Sequence, residues 1–264
     1  MTTNQLILGK YDGLLCDLDG VVYAGPKAIP GAPEALQQLA ARGAKIGYIT
    51  NNASRSNQVV ADHLSSLSAP APVSSVFGSV EVSVALLQEH VPAGSAVLAT
   101  GSEYLADSLT QAGYRLCADH HDQPAAVIQG FNPGLAWPDL AQASYVIANG
   151  AFWLATNLDL TIPTAEGIAP GNGTFVHAVA TATGKKPLVA GKPEPHMFRL
   201  AATELGLQRP LVVGDRLDTD IVGGNRAGFD TALVLTGINT REDAAQADPE
   251  FQPTMVIESM GQLL

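Results

Sequence analysis

The strongest constraint on the fold is an alternation of short apolar runs and longer helical segments along the 264-residue chain. Residues 13–18, 45–50 and 211–214 are apolar runs of strand length, and residues 30–42 place alanine and leucine at helical spacing behind a proline and a glycine. Strands that alternate with helices are typical of a parallel sheet with helices on both faces. The sequence therefore predicts an α/β fold with a Rossmann-like, doubly wound parallel sheet as its core.

A second series of strands and helices occupies the middle of the chain and predicts an inserted domain. A Pro-Ala-Gly turn at residues 92–94 precedes a new predicted strand, and the first series resumes near residue 188. We expect residues 1–93 and 187–264 to form a discontinuous core. Residues 94–186 are expected to form a smaller α/β domain inserted into that core.

Polar side chains follow four of the predicted strands. They are Asp17 and Asp19, then Thr50, Asn51 and Asn52, then Lys192, and finally Asp215 and Asp220. Because the carboxyl ends of parallel strands meet at one edge of a sheet, we expect these groups to converge. Several carboxylates beside one lysine leave excess negative charge, which a divalent ion such as Mg²⁺ can neutralise while it bridges to a phosphate. The sequence therefore predicts phosphoryl-transfer chemistry at this edge.

The composition narrows the classes of partner. The net charge of −11 at pH 7 disfavours nucleic acid and anionic membrane surfaces, because both require basic patches. No apolar stretch reaches the roughly 20 residues of a membrane span, and the first residues lack the basic start and apolar core of a signal peptide. Cys16 and Cys117 provide no disulfide framework. We expect a cytoplasmic protein. The net charge does not exclude an anionic substrate, but binding a phosphate would require a metal ion, lysine or backbone N–H groups at the site.

Other motifs have simpler interpretations. The acidic and histidine residues at 119–122 suggest a metal site, but adjacent residues of a strand face opposite ways. Asp218 is expected to cap a helix, and Asn51-Asn52 is also a common turn sequence. The glycines on either side of Asn172 are compatible with a loop that faces substrate or with an ordinary helix start.

Four motifs occur in order along the chain: DLDGVVY, ITNN, GKP and GDRLDTD. Together they resemble motifs one to four of the haloacid dehalogenase (HAD) superfamily, and the long insert between the second and third resembles its second cap type, C2. Residues 155–157 with Asp159, and residues 170–174, resemble cap signatures of the NagD-like subfamily, which includes p-nitrophenyl-phosphate phosphatases. The resemblance covers nearly the whole chain.

The resemblance implies a role for each polar residue. Asp17 is expected to attack phosphorus and form an aspartyl-phosphate, and Asp19 to protonate the leaving oxygen and then deprotonate water. Mg²⁺ is expected to bind the Asp17 carboxylate, the Asp19 backbone carbonyl and the Asp215 carboxylate. The expected phosphate-binding residues are Thr50, Asn51, Asn52 and Lys192. Asp220 is expected to orient Lys192 or the metal-bound waters without binding the metal directly.

The resulting hypothesis is a Mg²⁺-dependent phosphatase of small phosphorylated metabolites. Candidate substrates are glycerol 3-phosphate, 2-phosphoglycolate, p-nitrophenyl phosphate, nucleoside monophosphates and pyridoxal phosphate. The last is disfavoured because residues 160–163 lack the histidine that pyridoxal-phosphate phosphatases of this subfamily carry there. Two alternatives are a phosphomutase that uses the same aspartyl-phosphate, and a non-enzymatic signalling or binding protein with a phospho-aspartate. The resemblance also implies a homodimer formed through the cap.

Overall fold

The computed structural model describes residues 10–164 and 166–264. These residues divide into two compact units, each with its own sheet. The stretches of the first unit are the described residues up to Thr50, then Asn57–Phe77 and Lys192–Leu264. The stretches of the second unit are Asn51–Ser56 and Gly78–Gly191. In the described part of the chain, no helix has both the length and the apolar character needed to cross a membrane.

Strands and helices alternate along the described chain. The strands are β1 (Gly13–Cys16), β2 (Tyr23–Ala24), β3 (Lys27–Ala28), β4 (Lys45–Thr50), β5 (Val76–Gly78), β6 (Ala96–Thr100), β7 (Arg115–Cys117), β8 (Ala126–Gln129), β9 (Phe152–Ala155), β10 (Thr161–Thr164), β11 (Gly167–Pro170), β12 (Leu188–Val189), β13 (Pro210–Gly214), β14 (Asp230–Val234) and β15 (Met255–Ile257). The α-helices are α1 (Ala32–Ala41), α2 (Asn57–Ser66), α3 (Ser79–His90), α4 (Glu103–Gln111), α5 (Trp137–Ala148), α6 (Asn172–Thr183), α7 (His196–Leu205), α8 (Val222–Ala227) and α9 (Arg241–Gln246). A π-helical turn at Leu217–Ile221 leads directly into α8.

The sheet of the first unit has the strand order β15-β14-β13-β1-β4-β5. Strands β1, β4, β13, β14 and β15 run parallel. Numbered in chain order within the sheet, this is the 3-2-1-4-5-6 arrangement of a doubly wound fold, which confirms the predicted fold class. The chain progresses outward in opposite directions from β1 and β13, and ligands of such sheets bind beyond the carboxyl ends at this switch point.

The central strand β1 is buried on both faces. Leu14 and Leu15, which alternate between the faces, are 1% and 0% exposed. Leu36 and Leu39 of α1 lie on one helical stripe and pack in the same core cluster as Leu14. Burying each of these leucines contributes roughly 2 kcal/mol, so the apolar run fixes β1 firmly in the middle of the sheet.

The second unit contains a separate parallel sheet with the order β12-β9-β8-β6-β7. In chain order this is the 2-1-3-4-5 arrangement, so this unit is doubly wound as well. One face of the sheet packs on α5 and α6 through a cluster that includes Val127, Trp153, Val146 and Val176. Strands β10 and β11 form an antiparallel hairpin outside this sheet.

Two features differ from the sequence prediction. Lys192 is predicted to follow a strand of the core sheet, but β12 pairs with β9 in the sheet of the second unit. Lys192 therefore lies in the loop that leads to α7, not at the end of a core strand. The second unit also extends over Gly78–Gly191 rather than residues 94–186, because α3 packs against α4 and β9. The roles of the two units as catalytic core and cap stay a prediction.

Candidate functional site

The site lies at the switch point of the first-unit sheet, where β1 and β13 end side by side. Cys16 is in parallel register with Val213, and the backbone N–H of Asp17 donates to the Val213 carbonyl at 2.9 Å. Asp17 directly follows β1, and Asp215 directly follows β13. The sheet therefore presents two carboxylates at the position where doubly wound folds bind ligands.

Lys192 supplies a buried positive charge beside these carboxylates. Its Nζ donates to Asp17 Oδ1 and, at 2.6 Å, to Asp220 Oδ1. The lysine side chain is 5% exposed, and those of Asp17 and Asp220 are 13% and 1% exposed. Charges that have lost their hydration in this way require close partners, so the three groups form one coupled unit.

Three carboxylates converge at this point. Asp17, Asp215 and Asp220 each offer one oxygen, and these oxygens lie within 4.8 Å of one another. Asp220 can approach because residue 214 is glycine: a Cβ on Gly214 would lie 2.1 Å from the Cβ of Asp220. The Arg216 N–H donates to Asp220 Oδ2 at 3.2 Å and fixes its orientation. Within residues 10–164 and 166–264, this is the only group of three or more acidic, histidine or cysteine side chains at metal-binding spacing.

The loop after β14 encloses the Asp215 carboxylate. The Ile238 N–H donates to Asp215 Oδ2 at 2.8 Å, and the Asn239 N–H donates to the Asp215 carbonyl at 3.1 Å. A Cβ on Gly237 would lie 2.0 Å from Asp215 Oδ2, and one on Gly20 would lie 2.5 Å from the same oxygen. Gly237 and Ile238 are not among the residues predicted from sequence. The available signal was a glycine shortly after a predicted strand at the carboxyl edge of the sheet.

The cluster has more negative than positive charge. Burial, together with the nearby Asp220 carboxylate, raises the pKa of Asp215 to about 6, despite the hydrogen bond from Ile238. Burial also raises the pKa of Asp17, although the Lys192 ammonium opposes this effect. Burial lowers the pKa of Lys192, but its two carboxylate partners outweigh burial and raise that pKa overall. The lysine is therefore protonated at neutral pH, and it cannot neutralise all three acids.

This excess charge matches a divalent cation. Three carboxylates face one ammonium, and all the available donors are oxygen atoms, which Mg²⁺ and Ca²⁺ prefer. The side chains present therefore fit the magnesium ion that the sequence motifs imply.

Two further predicted residues lie at the same edge of the first-unit sheet. Asp19 is exposed in the turn after β1, and the Thr236 hydroxyl fixes this turn by donating to the Gly20 carbonyl at 2.7 Å. Gly20 has a φ of 79°, a left-handed conformation that glycine adopts without steric cost. Thr50 is the buried last residue of β4, the strand beside β1.

Asn51 and Asn52 belong to the second unit. Asn52 Oδ1 accepts hydrogen bonds from the N–H and the hydroxyl of Ser54 at 2.8 and 2.7 Å, which is a local turn. Asn51 is hydrogen-bonded to Asn157 and Asp159. The phosphate-binding role expected of Asn51 and Asn52 stays a prediction.

Two weaker motifs have structural roles. Asp218 does not cap a helix as predicted: its carboxylate accepts hydrogen bonds from the Arg216 guanidinium at 3.0 and 2.8 Å, because the chain here forms a π-helical turn. In the 119–122 segment, Asp119 caps a 3-10 turn by accepting the His121 N–H at 2.8 Å.

Comparison with protein families gives two matches. A haloacid dehalogenase-like hydrolase model matches residues 14–115. A second model, described as HAD-hydrolase-like, matches residues 189–263. The two matches include the segments that carry Asp17 and Asp215, respectively, and they leave the middle of the chain between them.

Similar proteins extend this relationship over the middle of the chain. The D-glycerol 3-phosphate phosphatase of Mycobacterium tuberculosis is 43% identical over 250 residues, which cover 95% of this chain and 70% of the relative. The crystal structure of a glycerol phosphate phosphatase from the same organism, in complex with magnesium, has a TM-score of 0.92 and 42% identity, covering 97% and 78% of the two chains. A p-nitrophenyl phosphatase from Archaeoglobus fulgidus has a TM-score of 0.88 and 29% identity, covering 96% and 98%. The chain therefore belongs to the haloacid dehalogenase-like hydrolase family.

Proposed function

We propose that this protein is a Mg²⁺-dependent phosphatase that hydrolyses small phosphomonoesters through an aspartyl-phosphate on Asp17. The observation that carries the proposal is the pairing of Lys192 with both Asp17 and Asp220, with the Asp215 carboxylate within 4.8 Å. A nucleophilic carboxylate, a buried cation and a metal-binding acid are the groups that phosphoryl transfer to an aspartate requires. The similarity to named phosphatases supports the same activity.

The proposed reaction has two steps on the first unit. An oxygen of Asp17 attacks phosphorus, the bond from phosphorus to the leaving oxygen breaks, and Asp19 donates a proton to that oxygen. Asp19 then takes a proton from water, the water oxygen attacks phosphorus, and inorganic phosphate leaves as Asp17 is regenerated. The exposure of Asp19 supports this role, because it must exchange a proton with both the leaving group and water.

The remaining residues hold charge in place during both steps. Lys192 and the Thr50 hydroxyl are proposed to bind phosphoryl oxygens, and Asp220 orients Lys192 through the 2.6 Å hydrogen bond. The Asp17 and Asp215 carboxylates and the Asp19 carbonyl would hold Mg²⁺. When bound, the ion neutralises the carboxylates and the transferring phosphoryl group.

D-Glycerol 3-phosphate is the first substrate to test, because a relative with 43% identity is named for it.

We also propose that the chain forms a homodimer through the second unit. Its support is an apolar surface on α5, where Trp137 is 74% exposed and Tyr145, on the same stripe two turns later, is 47% exposed. The cytoplasmic location expected from the sequence stays a prediction.

Turnover of p-nitrophenyl phosphate with and without Mg²⁺ tests the activity, followed by a panel of phosphorylated metabolites. Mg²⁺-dependent release of inorganic phosphate is the expected result. A product that retains the phosphoryl group on another hydroxyl of the substrate would indicate a phosphomutase. Stable phosphorylation of Asp17 without turnover would indicate a signalling protein, and either result would contradict the proposal.

A further inference from the structure

Hydrogen bonds within the second unit fix the position of Asn51. Its side-chain Nδ2 donates to Asp159 Oδ1 at 3.1 Å. Its backbone carbonyl accepts from Asn157 Nδ2 at 2.8 Å and from the Ser79 hydroxyl at 3.0 Å. The contacts hold the side chain and the backbone of the same residue, so they determine both the position of Asn51 and the direction of its amide.

The two residues that hold Asn51 are themselves held by the start of α6. The Asp159 N–H donates to Asn157 Oδ1 at 3.2 Å, and the Gly173 N–H donates to the Asp159 carbonyl at 2.9 Å. Asn172 Nδ2 donates to the Asn157 carbonyl at 2.8 Å. Asn157 is 4% exposed and Asn172 is 1% exposed, so these contacts are protected from competing water.

The glycines around Asn172 allow this packing. A Cβ on Gly171 would lie 2.3 Å from the Asp159 carbonyl oxygen, and one on Gly173 would lie 2.1 Å from the Leu158 carbonyl oxygen. Any side chain at these positions would push the 158–159 backbone away. The two glycines of the Gly-Asn-Gly sequence therefore let the start of α6 pack closely against the backbone of Leu158 and Asp159. This is a packing role, different from the role of a loop that faces substrate.

We propose that Asp159 and Asn157 are positioning residues for phosphate binding, acting through Asn51. This inference rests on the proposed function and on the phosphate-binding role that the sequence predicts for Asn51. Asn51 follows Thr50, the last residue of β4, so the position of Asn51 determines the direction in which the backbone leaves this strand. Asp159 orients the Asn51 side chain, and Asn157 holds the Asn51 carbonyl.

Asp159 is the better residue to change, because it is only half-buried and its loss leaves the apolar core intact. In Asp159→Ala the Asn51 amide loses a charged acceptor, whereas in Asp159→Asn an amide oxygen can still accept the hydrogen bond. The matched control is Asp139→Ala. It removes a carboxylate of the same unit that accepts the Ala136 N–H at 2.8 Å at the start of α5 and has no hydrogen bond to the Asn51 network.

The experiment measures kcat and KM with p-nitrophenyl phosphate and the inhibition constant of inorganic phosphate. For Asp159→Ala we expect both KM and the inhibition constant to rise about tenfold, the typical effect of one hydrogen bond to a charged group, with a smaller fall in kcat. Asp159→Asn should restore both to within about threefold, and Asp139→Ala should resemble the wild type. Unchanged KM and phosphate inhibition in Asp159→Ala would overturn the inference, as would an equal effect in Asp139→Ala.

A second measurement separates this inference from the proposed function. Amide hydrogen exchange of peptides covering residues 51–54 should be faster in Asp159→Ala than in the wild type and Asp139→Ala, because Asn51 has lost an anchor. If the wild type fails to hydrolyse any phosphomonoester, the proposed function is wrong. Amide hydrogen exchange then still tests whether Asp159 holds Asn51 in place. Equal exchange rates in the three proteins would contradict this positioning role.

Discussion

Replacing Asp215 with asparagine should stabilise the metal-free protein at alkaline pH. In the folded chain the pKa of Asp215 is raised to about 6 from an ordinary value of 3.8, chiefly by burial. Between these two pH values the folded state binds more protons than the unfolded state, so the free energy of unfolding falls as pH rises. Above about pH 6 the ionised carboxylate therefore destabilises the fold, and asparagine removes this charge while its oxygen can still accept the Ile238 N–H.

The magnitude follows from the pKa difference. A difference of about two units, at about 1.4 kcal/mol each, gives up to about 3 kcal/mol at pH 8. The new amide hydrogens need partners in a buried site, so we expect a net gain of roughly 1–3 kcal/mol. For a chain of this size that corresponds to a rise in melting temperature of roughly 2–6 °C. The gain should shrink as pH falls from 6 toward 4.

Thermal unfolding followed by circular dichroism, in excess EDTA and across this pH range, measures the effect. Excess Mg²⁺ should make the wild type the more stable of the two proteins. An ion at 100 times its dissociation constant stabilises the wild type by about 2.7 kcal/mol, whereas in the variant the ion has lost the Asp215 carboxylate and binds more weakly. Asp218→Asn is the control, since this exposed carboxylate pairs with the exposed Arg216 and its replacement should change stability little. A variant no more stable than wild type in EDTA at pH 8, or one that Mg²⁺ stabilises equally, would refute the reasoning.

Four other expectations follow from the site. Asp17→Asn should lower kcat at least about 1,000-fold while circular dichroism shows an intact fold, and full activity would exclude Asp17 as the nucleophile. Lys192→Met leaves the carboxylates of Asp17 and the buried Asp220 without their cation, so urea unfolding in EDTA at pH 8 should show a loss of about 3 kcal/mol, and an unchanged midpoint would contradict the ion pairing. Gly237→Ala places a Cβ 2.0 Å from the Asp215 carboxylate and should weaken Mg²⁺ binding measured by calorimetry more than about tenfold, whereas Gly261→Ala, with nothing closer than 3.5 Å, should not. Chelation by EDTA should abolish hydrolysis of p-nitrophenyl phosphate, with recovery on adding Mg²⁺; full activity without divalent ions would exclude the proposed metal requirement.

Much of the fold and part of the site could be predicted from sequence because the signals are local. Apolar runs that end in acidic residues placed Asp17 and Asp215 at the carboxyl edge of a parallel sheet, and the structure has both there. Residue propensity does not indicate which sheet a strand joins. The sequence therefore predicts β12 in the first-unit sheet, whereas it pairs with β9 of the second unit. Pairing is decided by packing between distant residues, and two residues of β12 carry little pattern.

The residues missed at the site act through backbone atoms. Gly237 leaves space and Ile238 donates an N–H, and neither function needs a particular reactive side chain. The sequence predicts Asp218 as a helix cap because aspartate is common at that position. It pairs instead with Arg216, since the π-helical turn changes which residues lie next to each other. Such local geometry depends on the loop conformation, which residue types alone do not specify.

The position of β1 between β4 and β13 has a consequence for how the chain matures on the ribosome. Gly13 emerges early, but Pro210, its neighbour across the sheet, is translated only after the whole of the second unit. The second unit can complete its own sheet during synthesis, while an apolar strand of the first unit still has one unpaired edge. That edge is a natural target for chaperones and for aggregation, so a nascent chain arrested before β13 should be far less soluble than the finished protein.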